Sequence, residues 1–269
     1  MKIGLHLPHV GPLATREGLT GFAQAAEEHG FDSLWVSDHV VVPRHLDSSY
    51  PYSRDGGFPV PPELPFQEPV ATLLFVAGVT QRAKLGTTIL VIPMRNPIVT
   101  AKQLATLDVL SGGRLILGVG AGWMEEEFEL LGVPFERRGA RLDEYIRLFR
   151  ALWTEDNPSF KGKFWQVEDV GFAPKPVQKP CPPIWTGGHG ERALRDAGDV
   201  EQRGERLQEG GVGRHREGAV GAVRIARREL ARHEHVVAHP EGVEAVLLGE
   251  LGEGGDALPV RQLADLRQV

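Results

Sequence analysis

The sequence is short of several features, and each shortage excludes a class of protein. Cys181 is the one cysteine among 269 residues, so neither an intrachain disulfide nor a cysteine-based zinc site is possible. No apolar run approaches the length of a membrane-spanning helix, and the start of the chain lacks the apolar core of a signal peptide. The net charge of −6, without a basic cluster, offers nothing to nucleic acid. We therefore expect a cytoplasmic protein that binds neither membrane nor nucleic acid.

Aromatic residues and lysine are missing from the last part of the chain. All 19 aromatic residues lie at or before Trp185, and glycine, arginine and glutamate supply 38 of the final 84 residues. Such a segment has little apolar surface to offset the entropy lost on ordering it. We divide the chain into a barrel region at 1–195 and an anomalous Gly/Arg/Glu-rich tail at 196–269.

Short apolar and β-branched segments alternate with helical patterns before the composition changes. Parallel pairing with right-handed crossovers follows from this alternation. Five such units before residue 195 indicate an α/β protein of the (β/α)₈ TIM-barrel type, incomplete or aberrant after about residue 195, rather than a finished doubly wound sheet. The pattern predicts strands at 3–7, 33–37, 85–90, 115–119 and 183–186, helices at about 15–29, 68–82, 98–110 and 138–153, and a hairpin at 160–164.

An acid and a histidine follow the second predicted strand. Asp38 and His39 open a long loop that runs to about Pro65, and a loop of this length is typical of one that covers a site. Catalytic groups of barrels lie at the C-terminal ends of strands, and a carboxylate beside an imidazole can supply a general acid or base. The alternative is that Asp38 caps a turn and His39 only packs.

Four histidines, His6, His9, His39 and His45, lie in the first 45 residues and invite a metal interpretation. No carboxylates repeat beside them at ligand spacing, so we predict no metal site. His6 ends the first strand, and we predict that it lines the substrate pocket.

Glycines follow the fourth and fifth predicted strands. The segment Gly118–Gly122 and the segment Gly187–Gly190 each leave backbone N–H groups exposed, an arrangement suited to phosphate. The first segment lacks the glycine spacing and the downstream acid of a dinucleotide-binding fingerprint, so a Rossmann fold is disfavoured. The alternative is that both segments are tight turns.

Taken together, these motifs resemble the luciferase-like monooxygenase superfamily, and most closely its F420-dependent branch. The resemblance covers residues 1–195 in order and stops there, and our hypothesis is that the reading frame is disrupted near residues 195–199. The matching segments are MKIGL at 1–5, GFDSLW at 30–35, SDH at 37–39, LGTTIL at 85–90, RNP at 95–97, SGGRL at 111–115 with the run to Trp123, RLDE at 141–144 and PIWTGG at 183–188.

The resemblance implies where a cofactor and a substrate would bind. The cofactor ring would lie against the third strand at a non-prolyl cis peptide, by position Thr88-Ile89, while Asp38 and His39 match the family's substrate-side polar pair. Trp123 stands where some F420-dependent dehydrogenases carry a catalytic glutamate, which disfavours their sugar-phosphate chemistry here. The implied cofactor-binding residues are Thr87, Thr88, Ile89, Gly120, Ala121, Gly122, Trp123, Gly187, Gly188 and Gly190.

The implied activity is hydride transfer between coenzyme F420 and a small organic substrate, with His39 in proton transfer or substrate polarisation. The protein would position the ring and exclude water while the cofactor does the chemistry. Two alternatives stay open: an FMN-dependent monooxygenase on the same barrel, and a non-catalytic, truncated or frameshifted fragment. A homodimer is the assembly to test.

Overall fold

The computed structural model describes residues 2–186 and the backbone of residues 245–247. Its main sheet has six parallel strands in the order β7-β4-β3-β2-β1-β8, and β5 and β6 form a separate antiparallel hairpin. The strands are β1 Ile3–His6, β2 Ser33–Val36, β3 Lys84–Thr87, β4 Leu115–Val119, β5 Phe160–Lys161, β6 Gln166–Val167, β7 Ile184–Thr186 and β8 Ala245–Leu247.

Five helices connect these strands, and polar side chains mark the first turns of three of them. Thr15 accepts a hydrogen bond from the backbone at the start of α1, Glu68 does so for α2, and Asn96 for α3. The backbone N–H groups in the first turn of a helix have no carbonyl partner within the helix, and these side chains accept hydrogen bonds from them. The helices are α1 Arg16–Glu28, α2 Pro69–Val79, α3 Pro97–Leu110, α4 Glu125–Leu130 and α5 Arg138–Thr154.

The two faces of the sheet pack against different apolar clusters. Leu34 pairs with Leu5 on one side and with Leu85 on the other, and all three pack in the main apolar core. The next residue, Trp35, packs instead with Ile116 and Trp185 in a separate cluster. Successive residues of a strand face opposite sides of the sheet, so one face packs on the helices and the other is filled by Trp35 and its neighbours.

The α/β fold with a parallel sheet is confirmed for the described residues. The largest difference in extent is in β3, which ends at Thr87 rather than at Leu90, because the chain leaves the sheet and returns through a single bridge from Leu90 to Val119. The strands β1, β2 and β7 each differ from the prediction by one residue at one end. Most of the predicted tail lies outside the described residues. Within it, the backbone of β8 pairs in parallel with β1.

Candidate active site

The ends of four neighbouring parallel strands bring the candidate residues to one edge of the sheet. His6 ends β1, Asp38 and His39 follow β2, Thr88 follows β3, and Gly120 follows β4. Because the strands are parallel, their carboxyl ends meet at the same edge, where barrel enzymes carry their active sites. The fold therefore gathers the residues that the sequence singles out.

His39 is held by a buried carboxylate. Its Nδ1 lies 2.8 Å from Oε2 of Glu127, whose side chain is 2% exposed. The other oxygen, Oε1, accepts from the backbone N–H groups of Val40 at 2.6 Å and Val41 at 3.1 Å. A carboxylate at Nδ1 favours the proton on that nitrogen and leaves Nε2 as the reactive nitrogen. Within residues 2–186, Nε2 makes no hydrogen bond.

Four half-buried aromatic rings, which we call the aromatic wall, stand beside His39. The imidazole lies 4.8 Å from the ring of Phe58, 5.4 Å from that of Phe66 and 6.0 Å from that of Trp123. Tyr50 completes the wall, 5.3 Å from Phe58 and 5.1 Å from Trp123. Three of these rings come from the long loop after β2, so that loop covers the site as its length predicts.

Helix α4 fastens the long loop in two places. Glu127 holds the backbone at residues 40–41, and Glu126 accepts from the N–H groups of Asp47 at 2.6 Å and Ser48 at 2.8 Å. Burial raises the pKa of Glu126, but the hydrogen bonds, with Ser48 foremost, outweigh this and leave its pKa below the ordinary value. The ionised carboxylate of Glu126 therefore keeps its part of the loop in place near neutral pH.

Asp38 has the contacts of a structural residue. Its side chain is fully buried and accepts from the Arg95 guanidinium at 2.6 Å and from the backbone N–H of Val91 at 2.8 Å. Burial raises the pKa of Asp38, with Arg95 opposing the shift. Arg95 also pairs with Glu68 at 2.9 Å. Asp38 thus joins the tip of β2 to the segment after β3, and the catalytic role suggested for it by the sequence stays a prediction.

The two histidines of β1 and its following loop differ in burial. His6 is half-buried, with its ring 5.0 Å from that of His9, so its predicted place in the pocket stays a prediction. His9 is fully buried, its Nδ1 is 3.1 Å from the Leu7 carbonyl, and its Nε2 accepts from the N–H of Ser37 at 3.2 Å. Burial lowers the pKa of His9. His9 therefore braces β1 against β2 as a neutral imidazole.

The end of β3 carries the polar groups expected beside a cofactor ring. The peptide bond between Thr88 and Ile89 is cis, as the resemblance implies. Thr87 is buried, and its hydroxyl donates to the Gly118 carbonyl at 2.6 Å, so that the donor is already engaged within the sheet. In contrast, the hydroxyls of Thr88 and of Thr186 at the end of β7 are buried without a hydrogen-bond partner in the described part of the chain. Buried polar atoms of this kind call for a partner that the polypeptide does not supply.

The glycine run after β4 presents backbone amides. Gly120 donates to the Leu90 carbonyl, whereas the amides of Ala121 and Gly122 have no acceptor within residues 2–186. Gly122 has a φ of 85°, which a residue with a side chain rarely adopts. A cavity of about 450 Å³ lies beside this run, lined by Ala121, Arg137, Arg138, Gly139 and Ala140.

The family assignment rests on a match over most of the chain. The family model described as luciferase-like monooxygenase matches residues 2–203. The chain belongs to the luciferase-like monooxygenase family. The resemblance found in the motifs is therefore confirmed, and the parallel sheet is the first part of the barrel that its solved neighbours share.

Similar proteins extend the family assignment, and each is matched over part of its length. An uncharacterized protein of Mycobacterium tuberculosis is 39% identical over 175 residues, which are 65% of this chain and 60% of that protein. An F420-dependent glucose-6-phosphate dehydrogenase of Amycolatopsis mediterranei is 38% identical over 174 residues, 63% of this chain and 47% of the dehydrogenase. The dehydrogenase supports the F420-dependent branch of the luciferase-like family.

Two solved structures show the same pattern. The monooxygenase RslO1 from Streptomyces bottropensis is 27% identical with a TM-score of 0.59, covering 76% of this chain and 58% of its own. An F420-dependent secondary alcohol dehydrogenase in complex with an F420-acetone adduct is 25% identical with a TM-score of 0.58, covering 72% and 54%. This luciferase-like chain thus spans little more than half the length of the proteins it resembles.

Several residues of the site were not found by the sequence reasoning. Glu127, Arg95, Tyr50 and Phe58 approach the strand tips only through tertiary contacts. The run of three glutamates at 125–127 after a glycine loop was the one signal that could have indicated Glu127. The predicted contacts at Gly187, Gly188 and Gly190 lie outside the described residues. Where the structure describes the chain, it contains no cluster of metal-ligating side chains and no helix long and apolar enough to cross a membrane.

Proposed function

We propose that this luciferase-like protein is an F420-dependent oxidoreductase that transfers a hydride between the deazaflavin and a small organic substrate. The observation that carries the proposal is the His39–Glu127 pair at one edge of a parallel sheet, beside the aromatic wall. The glycine run after β4, with its backbone amides, lies at the same edge, and we call it the cradle. The F420-dependent relatives named above support the choice of cofactor. A cytoplasmic location and a homodimer stay predictions.

The residues present fit a planar cofactor with a phosphorylated tail. The unpaired hydroxyls of Thr88 and Thr186 offer hydrogen bonds to a polar ring edge. The amides of Ala121 and Gly122, with Arg137 lining the neighbouring cavity, suit an anionic tail. We assign the ring to the ends of β3 and β7 and the tail to the glycine run.

The chemistry of the chain itself falls to His39. When bound, F420 supplies the hydride acceptor or, reduced, the hydride donor. During oxidation of an alcohol, the carbinol carbon loses a hydride and the hydroxyl proton passes to Nε2 of His39; reduction of a ketone runs in reverse. Glu127 keeps the proton on Nδ1 and stabilises the imidazolium that forms. The rings around His39 exclude water and keep the transfer local.

The direct test is a binding titration of the purified full chain with F420 and, in parallel, with FMN, followed by cofactor fluorescence. We expect F420 to bind more tightly than FMN. Because ligands that bind only the folded state raise its stability, F420 should also raise the midpoint of a cooperative thermal transition. Preference for FMN would favour the monooxygenase alternative. No binding of either cofactor, together with a non-cooperative transition, would favour the fragment alternative.

A further inference from the structure

The aromatic wall and its surroundings carry an inference about the substrate. We propose that the site binds a neutral alcohol or ketone with an apolar, preferably aromatic, body, and not a phosphorylated or carboxylated one. The substrate oxygen meets Nε2 of His39, and the apolar body lies against the wall. This inference rests on the proposed function, which supplies the reaction at that oxygen.

The wall offers accessible aromatic surface beside Nε2 of His39. Tyr50, Phe58, Phe66 and Trp123 are all half-buried, so each ring packs on one part and leaves another part accessible. Within residues 2–186, His39 makes hydrogen bonds and ring contacts only with Glu127 and with rings of this wall. Ligand sites are typically of this kind, mostly apolar with few polar groups that set the orientation of the ligand.

The loops at this edge of the sheet also carry exposed apolar side chains. Among the exposed large apolar side chains of the described chain, four lie in the loops that follow β1 and β2: Leu13 at 44%, Val40 at 46%, Val41 at 38% and Tyr52 at 39% exposure. These loops leave the same edge of the sheet as His39. These side chains add exposed apolar surface to the loops at the edge of the sheet that carries His39.

Fixed charge at the site opposes an anionic substrate. Glu127 touches His39, and Glu125 and Glu126 lie on the same short helix. Arg95, the guanidinium at the tip of β3, is engaged by Asp38 and Glu68. Among the described residues in these contacts, Glu127 would repel an incoming phosphate and Arg95 is already paired, and repulsion between like charges discriminates strongly between ligands.

Three other basic residues of the long loop, Arg44, His45 and Arg54, do not change this balance. Arg44 pairs with Glu63 in an exposed ion pair. His45 and Arg54 are exposed and make no contact with the aromatic wall in the part of the chain that the structure describes. The carboxylates of α4 also fix the loop backbone at residues 40–41 and 47–48, so the wall is in place before a substrate arrives.

The test is calorimetric binding of two probes, 1-phenylethanol and glucose 6-phosphate, to the full chain without cofactor. We expect 1-phenylethanol to bind and glucose 6-phosphate not to bind. Phe58→Ala should weaken 1-phenylethanol about tenfold through the loss of ring contact, and Phe58→Leu, which keeps most of the volume, should weaken it less. The matched control is Leu110→Ala, an exposed apolar residue at the end of α3, which should bind like the parent chain. Tighter binding of glucose 6-phosphate, or equal effects of Phe58→Ala and Leu110→Ala in variants that melt like the parent, would overturn the inference.

The two proposals fail in different ways. The F420 and FMN titrations are run on the same preparation. Binding of a cofactor without binding of 1-phenylethanol would overturn the substrate class and leave the proposed function standing. Binding of 1-phenylethanol that responds to Phe58→Ala, without binding of either cofactor, would support the apolar site and overturn the proposed function.

Discussion

The two halves of the site are built from different parts of the polypeptide. On the side of β1 and β2, side chains form the site: His39, its partner Glu127 and the aromatic wall. On the side of β3 and β4, the backbone forms it, through a cis peptide and a glycine run with uncommitted amides. The first half suits a variable organic substrate, and the second suits a ring and phosphate that are the same in every turnover.

The two halves differ in which residues can be substituted without loss of the fold. A ring of the wall can be replaced while the strands stay in place, because it stands on a long loop that α4 fastens through carboxylates. Gly118 in β4 cannot, because an added Cβ would meet the main-chain carbonyl group of Thr87 in β3. The Asp38–Arg95 pair joins the two halves, and single substitutions can test each half separately.

The largest effect is expected at the ion pair that connects β2 to the segment after β3. Asp38→Ala leaves the Arg95 guanidinium, 13% exposed, with Glu68 as its one remaining partner. Removing one partner of a buried pair costs about 3–5 kcal/mol. We expect a loss of stability of that order in chemical denaturation. Glu63→Ala, which breaks the exposed pair with Arg44, is the control and should cost less than about 1 kcal/mol. Equal losses would show that the buried pair does not join the two halves.

A second substitution tests the half built from backbone. In Gly118→Ala, the new Cβ would lie 2.0 Å from the carbonyl oxygen of Thr87, so β3 and β4 must separate. Overpacking of this kind costs about 1–3 kcal/mol, and we expect F420 affinity to fall with it. Gly78→Ala is the matched control, because nothing lies within 4 Å of its Cβ in α2. There the change should be neutral or stabilising. Unchanged F420 affinity in a folded Gly118→Ala variant would argue against the cradle.

The sequence predicts the backbone half better than the side-chain half. Strand ends, the glycine run and the cis peptide depend on local patterns and on the family motif, and each is found where it was expected, apart from the earlier end of β3. Glu127 and Phe58 reach His39 from 88 and 19 positions away in the chain, and no local pattern encodes such contacts. Asp38 illustrates the same limit. A carboxylate at the end of a strand predicts a catalytic role from the sequence, but the sequence does not show whether a distant arginine pairs with it, as Arg95 does here.

Glu127→Gln tests the side-chain half without disturbing the cradle. The amide keeps the volume of the carboxylate but loses the charge that stabilises a protonated His39, so turnover should fall between about ten- and a hundredfold. We expect the pH profile of kcat to shift while F420 affinity stays the same. Glu129→Gln, on the exposed side of α4, is the control and should behave like the parent. Loss of F420 affinity in Glu127→Gln would mean that the two halves are not independent.

The smallest effect concerns His9, which braces β1 against β2 beneath the side-chain half. Burial lowers the pKa of His9 from an ordinary value of 6.5. As the pH falls, His9 therefore becomes protonated in the unfolded chain before it does so in the folded chain. The stability that neutral His9 contributes is present above pH 6.5 and is lost as the pH falls below it, at up to about 1.4 kcal/mol per pH unit. We expect His9→Gln to flatten the fall in melting temperature between pH 7.5 and 5.5, because glutamine can donate to Leu7 and accept from Ser37 without titrating. The control is His29→Gln, at an exposed position after α1, which should keep the parent's pH dependence. If His9→Gln also keeps the parent's pH dependence, then the titration of His9 does not set the stability of the β1–β2 half.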